Sequence, residues 1–279
     1  MNKPHTNTWL VTGTSQGLGL ELTNLLLDRG HRVIATSRTP EKTTAALGER
    51  DNLYAAALDL TSDADVRRLV DAGAKRFGGI DVVVNNAGYS LVGSMEETSD
   101  AEFRAALDVN LVGPVSVIRH VLPYMRRQGR GRIINISSNA GYVGFGGAAS
   151  YNAAKFGLVG VTEALAQEVR DFGIHATVVA PGQFRTEFMD SLHYVERRVA
   201  GYGTDAAQSQ WSAYSGKQNG DPRKLVEILL RLSELPEPPL HLLLGPDTYQ
   251  LVTDHRAREA KEIARWKDWT LSTDFDAAP

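Results

Sequence analysis

The chain has 279 residues, of which 42% are hydrophobic and 23% charged, and a formal net charge of -3. That is ordinary globular composition, enough for one large α/β domain or two smaller ones, and the charge points to neither a nucleic-acid surface nor an acid-binding one. No cysteine is present, which excludes disulfides, thiol chemistry and cysteine-based zinc sites.

The opening Met1-Asn-Lys-Pro-His-Thr-Asn-Thr8 lacks the apolar core of a signal peptide. No unbroken apolar run approaches the ~20 residues of a membrane span, so a soluble, cytoplasmic protein is expected, with no membrane or nucleic-acid partner. Thr8–Thr12 reads as a strand that runs into Val11-Thr-Gly-Thr-Ser-Gln-Gly-Leu-Gly19, at the mouth of a helix over Leu18–Arg29. Leucines 18, 22, 25 and 26 give that helix its period, and Gly30 stops it. His31–Ser37 is a second strand and Tyr54–Leu58 a third. A helix over Asp63–Phe77 is begun by Thr61 or Ser62 and closed by Gly78-Gly79. Asp81–Asn85, Arg132–Ile136 and His175–Ala180 are near-continuous apolar strands, and long helices fill Ala101–Gln128 and Tyr151–Phe172. From Met189 to Gly220 no period is visible, as in a functional lid or a mobile loop. A helix then starts at Asp221-Pro-Arg-Lys and continues through Leu225–Leu235, His241–Gly245 is a last strand, and Gln250–Thr270 is a charged helix bearing tryptophans.

Strands apolar on both faces, each followed by a helix, imply an α/β doubly wound parallel sheet, the Rossmann fold. With no repeat or low-complexity linker, residues 1–279 read as a single domain. Its substrate lid spans about 187–220 and its C-terminal helical extension about 246–272.

Three features carry chemistry. The glycines of Val11–Gly19 follow a strand and open a helix, where backbone N–H groups either cradle a pyrophosphate or form a tight turn. Tyr151-Asn-Ala-Ala-Lys155 places a phenol and an ammonium on one helix face, either a surface pair or a proton donor whose pKa the cation lowers. Ser137-Ser138 and Asn85-Asn86-Ala87-Gly88 end strands, where ligands bind in this architecture. Glu96-Glu97 and Asp63/Asp65 read as solvated acids at helix starts. The seven histidines show no ligand spacing, so no catalytic metal is expected.

These motifs, in this order, resemble the short-chain dehydrogenase/reductase family in its one-domain branch. Thr12–Gly19 matches T-G-x-x-x-G-x-G, Asn85–Gly88 matches N-N-A-G, and Tyr151–Lys155 matches Y-x-x-x-K. The family's serine lies thirteen residues before the tyrosine, which selects Ser138 over Ser137; its asparagine matches Asn110, and its P-G turn with a following threonine matches Pro181-Gly182 and Thr186. The ending after Leu240 looks closer to the 17β-hydroxysteroid and retinol dehydrogenase-like members.

The resemblance implies a role for each matched residue. Tyr151 exchanges the proton with the reacting oxygen, Ser138 hydrogen-bonds that oxygen, and Asn110 holds a water that relays protons to Lys155. Lys155 also holds the nicotinamide ribose and depresses the Tyr151 pKa. The cofactor would further lie against Gly13, Thr14, Ser15, Gln16, Gly17, Leu18 and Gly19, with Asp59 and Leu60 at the adenine. Asn86, Ala87 and Gly88 come near the ribose, and Pro181, Gly182 and Thr186 near the carboxamide. An NAD-preferring member carries a carboxylate eighteen residues after the last loop glycine, where this chain has Ser37 followed by Arg38. A hydroxyl and a guanidinium suit a 2′-phosphate, so NADP(H) is expected over NAD(H).

Phe184 and Met189, with Leu192, Tyr194, Tyr202, Trp211 and Tyr214, make the lid apolar; they either cover a hydrophobic ketone, aldehyde or alcohol or only pack the lid down. The tail helix is either packed on the body or a subunit contact, and the family implies a homodimer or homotetramer. A non-catalytic NADP-binding sensor of the same fold is the alternative, disfavoured because all four catalytic positions are filled. A sugar-nucleotide epimerase would space its glycines G-x-x-G-x-x-G, whereas this chain has G-x-x-x-G-x-G.

Overall fold

The computed structural model describes residues 6–275, so the leader reading of Met1–Thr8 falls mostly outside it. The first half of the chain forms β1 (Thr8–Thr12), α1 (Gly17–Asp28), β2 (Arg32–Ser37), α2 (Pro40–Leu47), β3 (Leu53–Ala57), α3 (Asp63–Phe77) and β4 (Val82–Asn85). Next come β5 (Leu91–Val92), α4 (Asp100–Leu107), α5 (Gly113–Gln128), β6 (Gly131–Ile136), α6 (Ala149–Val169) and β7 (Ile174–Pro181). The last elements are β8 (His193–Tyr194), α7 (Thr204–Tyr214), α8 (Pro222–Glu234), β9 (His241–Leu244), α9 (Pro246–Arg265) and α10 (Lys267–Leu271).

Seven strands make one parallel sheet in the order β3-β2-β1-β4-β6-β7-β9. The strand alternation explains both of its covers. Trp9, Val11, Val82, Val84, Ile134 and Ile136 face one side and pack with Leu22 and Leu26 of α1 and Leu225 and Leu229 of α8. Leu10, Ile34, Val83 and Ile133 face the other and pack with Val66 and Val70 of α3, Val117, Val121 and Met125 of α5, and Leu165 of α6. Period-two strands, apolar on both faces, are the pattern a doubly wound sheet requires. Chain direction across the sheet reverses between β1 and β4, which opens the crevice where this architecture binds ligands.

The helix boundaries follow from local chemistry. Ser62 caps α3 by accepting from the Asp65 N–H, and Gly78 closes it at φ 83°. Ser99 and Glu102 form a reciprocal capping box on α4.

Three segments differ from the sequence reading. The helix expected over Ala101–Gln128 is interrupted by a π turn at Asp108–Val112, and it restarts at Gly113-Pro114. By length and composition alone the run Asp100–Gln128 is apolar enough to cross a membrane, which a search for an unbroken apolar stretch passes over. Here Val117, Ile118, Val121 and Met125 on it are buried in the core. The aperiodic stretch Met189–Gly220 holds a short strand, β8, paired with β5, and the helix α7. The one buried residue of α7 is Thr204, so the helix has no apolar stripe to announce it. For the same reason α2, where only Thr43 is buried, went unexpected.

Candidate active site

A cleft of about 1330 Å3 opens over the carboxyl ends of the strands, from the glycine loop after β1 to α7. That exceeds the roughly 300–1,000 Å3 of a pocket for one drug-sized ligand.

At one end the three glycines divide the work. Gly13 holds φ 74°, and a Cβ there would sit 2.8 Å from the Ala87 Cα. Gly17 holds φ 57° and starts α1 with no side-chain cap from Gln16. Gly19 is packed beneath the loop, where a Cβ would collide with the Gly13 carbonyl and come within 2.7 Å of Asn86 Nδ2. The first N–H groups of this twelve-residue helix lack intrahelical partners and face a surface that carries no Cβ at Gly17. This fits the pyrophosphate of a dinucleotide. Gly13, Ser15, Gln16, Gly17 and Leu18 line the cleft. Thr14 lies behind it, its hydroxyl 3.1 Å from that of Thr43 and fully buried, so it ties the loop to α2. Asn86 lines the cleft with Ala87 and Gly88, while its side-chain amide donates to the Thr12 and Gly13 carbonyls at 2.9 and 3.2 Å.

Ser37 ends β2, with its hydroxyl accepting from the Thr39 N–H at 3.2 Å, and Arg38 beside it is exposed on the cleft rim. Asp59 and Leu60 line the same end. Asp59 Oδ1 accepts from the Thr61 hydroxyl and N–H at 2.7 and 2.9 Å, and these bonds, helped by the Arg38 charge, hold its carboxyl below the usual range.

At the inner end Ser138, Tyr151 and Lys155 converge. Ser138 caps a turn after β6, and both it and Ser137 line the cleft, but the Ser137 hydroxyl is turned inward and donates to the Lys155 carbonyl at 3.2 Å. Tyr151 and Lys155 lie one turn apart on α6, and Lys155 Nζ sits 5.5 Å from the Tyr151 ring centre. The ammonium donates to the Ile136 carbonyl at 2.9 Å. Asn110 lies in the π turn, fully buried behind the cleft. Its amide donates to the Tyr89 and Ala106 carbonyls, and its oxygen accepts from the Tyr89 N–H at 3.1 Å. A Cβ on Gly88 would meet Asn110 Oδ1 at 2.5 Å and Lys155 Nζ at 3.6 Å, so both polar groups close on one glycine.

Burial sets the charges here. It pushes the Tyr151 phenol up to about 12, against a smaller downward pull from Ser138, and draws Lys155 down to about 8. Desolvation of the phenol thus outweighs the lowering expected from Lys155, whose ammonium donates to the Ile136 carbonyl.

A family profile described as short chain dehydrogenase matches residues 7–196. The chain belongs to the short-chain dehydrogenase family. An oxidoreductase of Botryotinia fuckeliana is 36% identical over 274 residues, covering 96% of this chain and 99% of the relative. A 3-ketodihydrosphingosine reductase of Bacteroides thetaiotaomicron is 35% identical, over 85% of this chain and 87% of the relative. Among solved structures, a short-chain dehydrogenase from Streptomyces avermitilis superimposes with TM-score 0.88 at 33% identity, covering 98% of this chain and 100% of that one. This short-chain dehydrogenase is thus an NAD(P)-dependent oxidoreductase acting on a small molecule.

In this dehydrogenase Pro181, Gly182, Phe184, Thr186 and Met189 all line the cleft. Sequence reasoning missed three of its parts. Phe188 lies with its ring centre 6.2 Å from that of Tyr151, a cleft-lining neighbour that no motif marks. Asp247, the second residue of α9, accepts from the Gln183 N–H at 2.9 Å and so fixes the P-G turn from the C-terminal extension. Glu97, read as a solvated acid, is 1% exposed; it sits in a turn before α4 and is bonded to the lid.

Proposed function

We propose that the protein is an NADP(H)-dependent oxidoreductase that interconverts a hydrophobic ketone or aldehyde and its alcohol, with Tyr151 as proton donor and acceptor. The observation that carries this reading is the meeting of Tyr151, Ser138 and Lys155 in one cleft with an uncapped helix N-terminus at its other end. A nicotinamide dinucleotide, when bound, supplies or accepts the hydride.

The chain's own residues supply placement and proton handling. With its pKa near 12, Tyr151 is protonated at neutral pH and can donate to an oxygen that gains charge during reduction. Ser138, at the same end of the cleft, offers a second hydroxyl to that oxygen. Lys155 is cationic below about pH 8, which favours loss of the phenol proton in the oxidative direction and attracts ribose hydroxyls. Arg38 and Ser37 offer a guanidinium and a hydroxyl where an NAD-preferring member has a carboxylate, which supports NADP(H). The substrate half, with Val92, Phe145, Phe188, Met189, Leu192 and Trp211, is apolar and supports a lipophilic substrate. The Bacteroides relative's name, a reductase of a long-chain keto lipid, agrees in class.

The test is steady-state turnover of a panel of ketones, aldehydes and alcohols with NADPH and with NADH. Preference for NADPH is expected; equal or better use of NADH overturns the cofactor reading, and no turnover of any carbonyl or alcohol overturns the reaction.

A further inference from the structure

Glu96 and Glu97 are adjacent carboxylates with opposite fates. Glu96 is exposed and meets the Tyr202 hydroxyl at the surface, whereas Glu97 is 1% exposed and pairs with no cation among the described residues. A buried, unpaired carboxylate is costly unless donors satisfy it, and here three do. Glu97 Oε2 accepts from the Ser94 N–H at 2.9 Å and the Thr204 hydroxyl at 2.5 Å, and Oε1 accepts from the Val199 N–H at 3.0 Å. These bonds, that of Thr204 foremost, hold its carboxyl down at about 2, so it stays ionised and accepting.

Two of the three donors belong to the lid. Thr204 is the first residue of α7, and Gly203 before it turns the chain at φ 72°. Thr204, Ala207 and Trp211 stand at helical spacing on one face of α7, and all three line the cleft. The far end of α7 is also held: the Tyr214 hydroxyl donates to Gln183 Oε1 at 2.7 Å, and Gln183 is fixed in turn by Asp247. The lid ahead of α7 is also held by the β5–β8 backbone pairing, whereas the Arg198–Asp205 ion pair at the start of α7 joins a half-buried arginine to an exposed carboxylate, where such a pair adds little.

We infer that Glu97 is a positioning residue for the substrate: it anchors the start of α7 so that Ala207 and Trp211 form a fixed wall of the substrate pocket. The inference rests on the reading of this half of the cleft as the substrate half. The cofactor half, built on strand ends away from Glu97, does not depend on it.

Two full-length variants test the anchor, Glu97→Gln, which turns one acceptor into a donor facing a donor, and Thr204→Val, which removes the hydroxyl and leaves the carboxylate. NADPH affinity is titrated by fluorescence, KM and kcat are measured with acetophenone and with the best ketone of the panel, and tryptic cleavage is timed at Arg197, Arg198 and Lys217, which flank α7. Both variants are expected to raise KM roughly tenfold, as loss of one charge-assisted bond allows. kcat and NADPH affinity should stay near wild type, and cleavage beside α7 should accelerate. Unchanged KM and unchanged cleavage overturn the inference. So does a parallel fall of kcat, cofactor affinity and melting temperature, because that marks a general structural role. A wild type that turns over no carbonyl counts against the functional reading instead, and the anchor is then decided by the cleavage rates and the cofactor titration.

Discussion

Replacing Lys155 with methionine separates what the ammonium does for chemistry from what it costs the fold. Lys155 is 3% exposed, and burial draws its pKa from 10.5 to about 8. Each pKa unit corresponds to about 1.4 kcal/mol, so holding the charge at neutral pH costs the folded chain about 3 kcal/mol. Between about pH 8 and 10.5 the unfolded chain keeps this proton while the folded chain has released it. Wild-type stability therefore rises through that window, and the penalty is gone above it. Methionine fills similar space without charge, and it forfeits the charge-assisted Nζ bond to the Ile136 carbonyl, worth about 2 kcal/mol. The net gain at neutral pH is about 1 kcal/mol, a rise in melting temperature of about 3 °C for a chain of this size. Thermal unfolding followed by circular dichroism at pH 7 and above pH 10 measures it, and turnover should be lost at both. The variant's advantage should vanish at the higher pH. A variant that melts below wild type at pH 7, or an advantage independent of pH, refutes the claim that burial cost governs Lys155.

Tyr151→Phe removes the proposed proton donor and is expected to lower kcat by about 100- to 10,000-fold with NADPH affinity intact; a variant keeping a tenth of wild-type activity rules Tyr151 out as the acid. Ser37→Asp places a carboxylate at the end of β2, and the ratio of kcat/KM for NADPH over NADH should fall by about 100-fold. An unchanged ratio would mean that Ser37 does not face the ribose. Gly19→Ala forces a Cβ into the Gly13 carbonyl and should cost about 1–3 kcal/mol of stability as overpacking. Gly160→Ala, on α6 with nothing within 4 Å of the added carbon, should instead gain about 0.5–1 kcal/mol, and comparing the two melts isolates packing from helix propensity.

The sheet was legible because each strand is apolar on both faces, a signal carried within five or six residues. Trp9, Leu10 and Val11 announce two buried sides by themselves. α2 and α7 were not legible, since a helix that buries one threonine carries no apolar period. The motifs also mix two kinds of residue that sequence does not separate. Gly13, Gly17 and Ser138 lie on the cleft, whereas Thr14, Gly19 and Asn110 lie behind it and hold the loop, the helix and the Tyr89 backbone in place. A family pattern records both alike, because changing either disturbs the site.

Glu97 marks the limit of such reading, and the limit has a physical cause. Its burial is decided by Val199 and Thr204, more than a hundred residues away, and nothing within its own turn distinguishes it from the solvated Glu96. The cofactor half of the cleft is assembled from strand ends, where local sequence determines both backbone and side chain. The opposite end of the cleft includes one face of α7, a largely polar helix held by distant hydrogen bonds, so its shape depends on long-range partners. On the proposed reading, substrate choice would then rest on the segment whose local pattern is weakest, with Glu97 fixing its geometry.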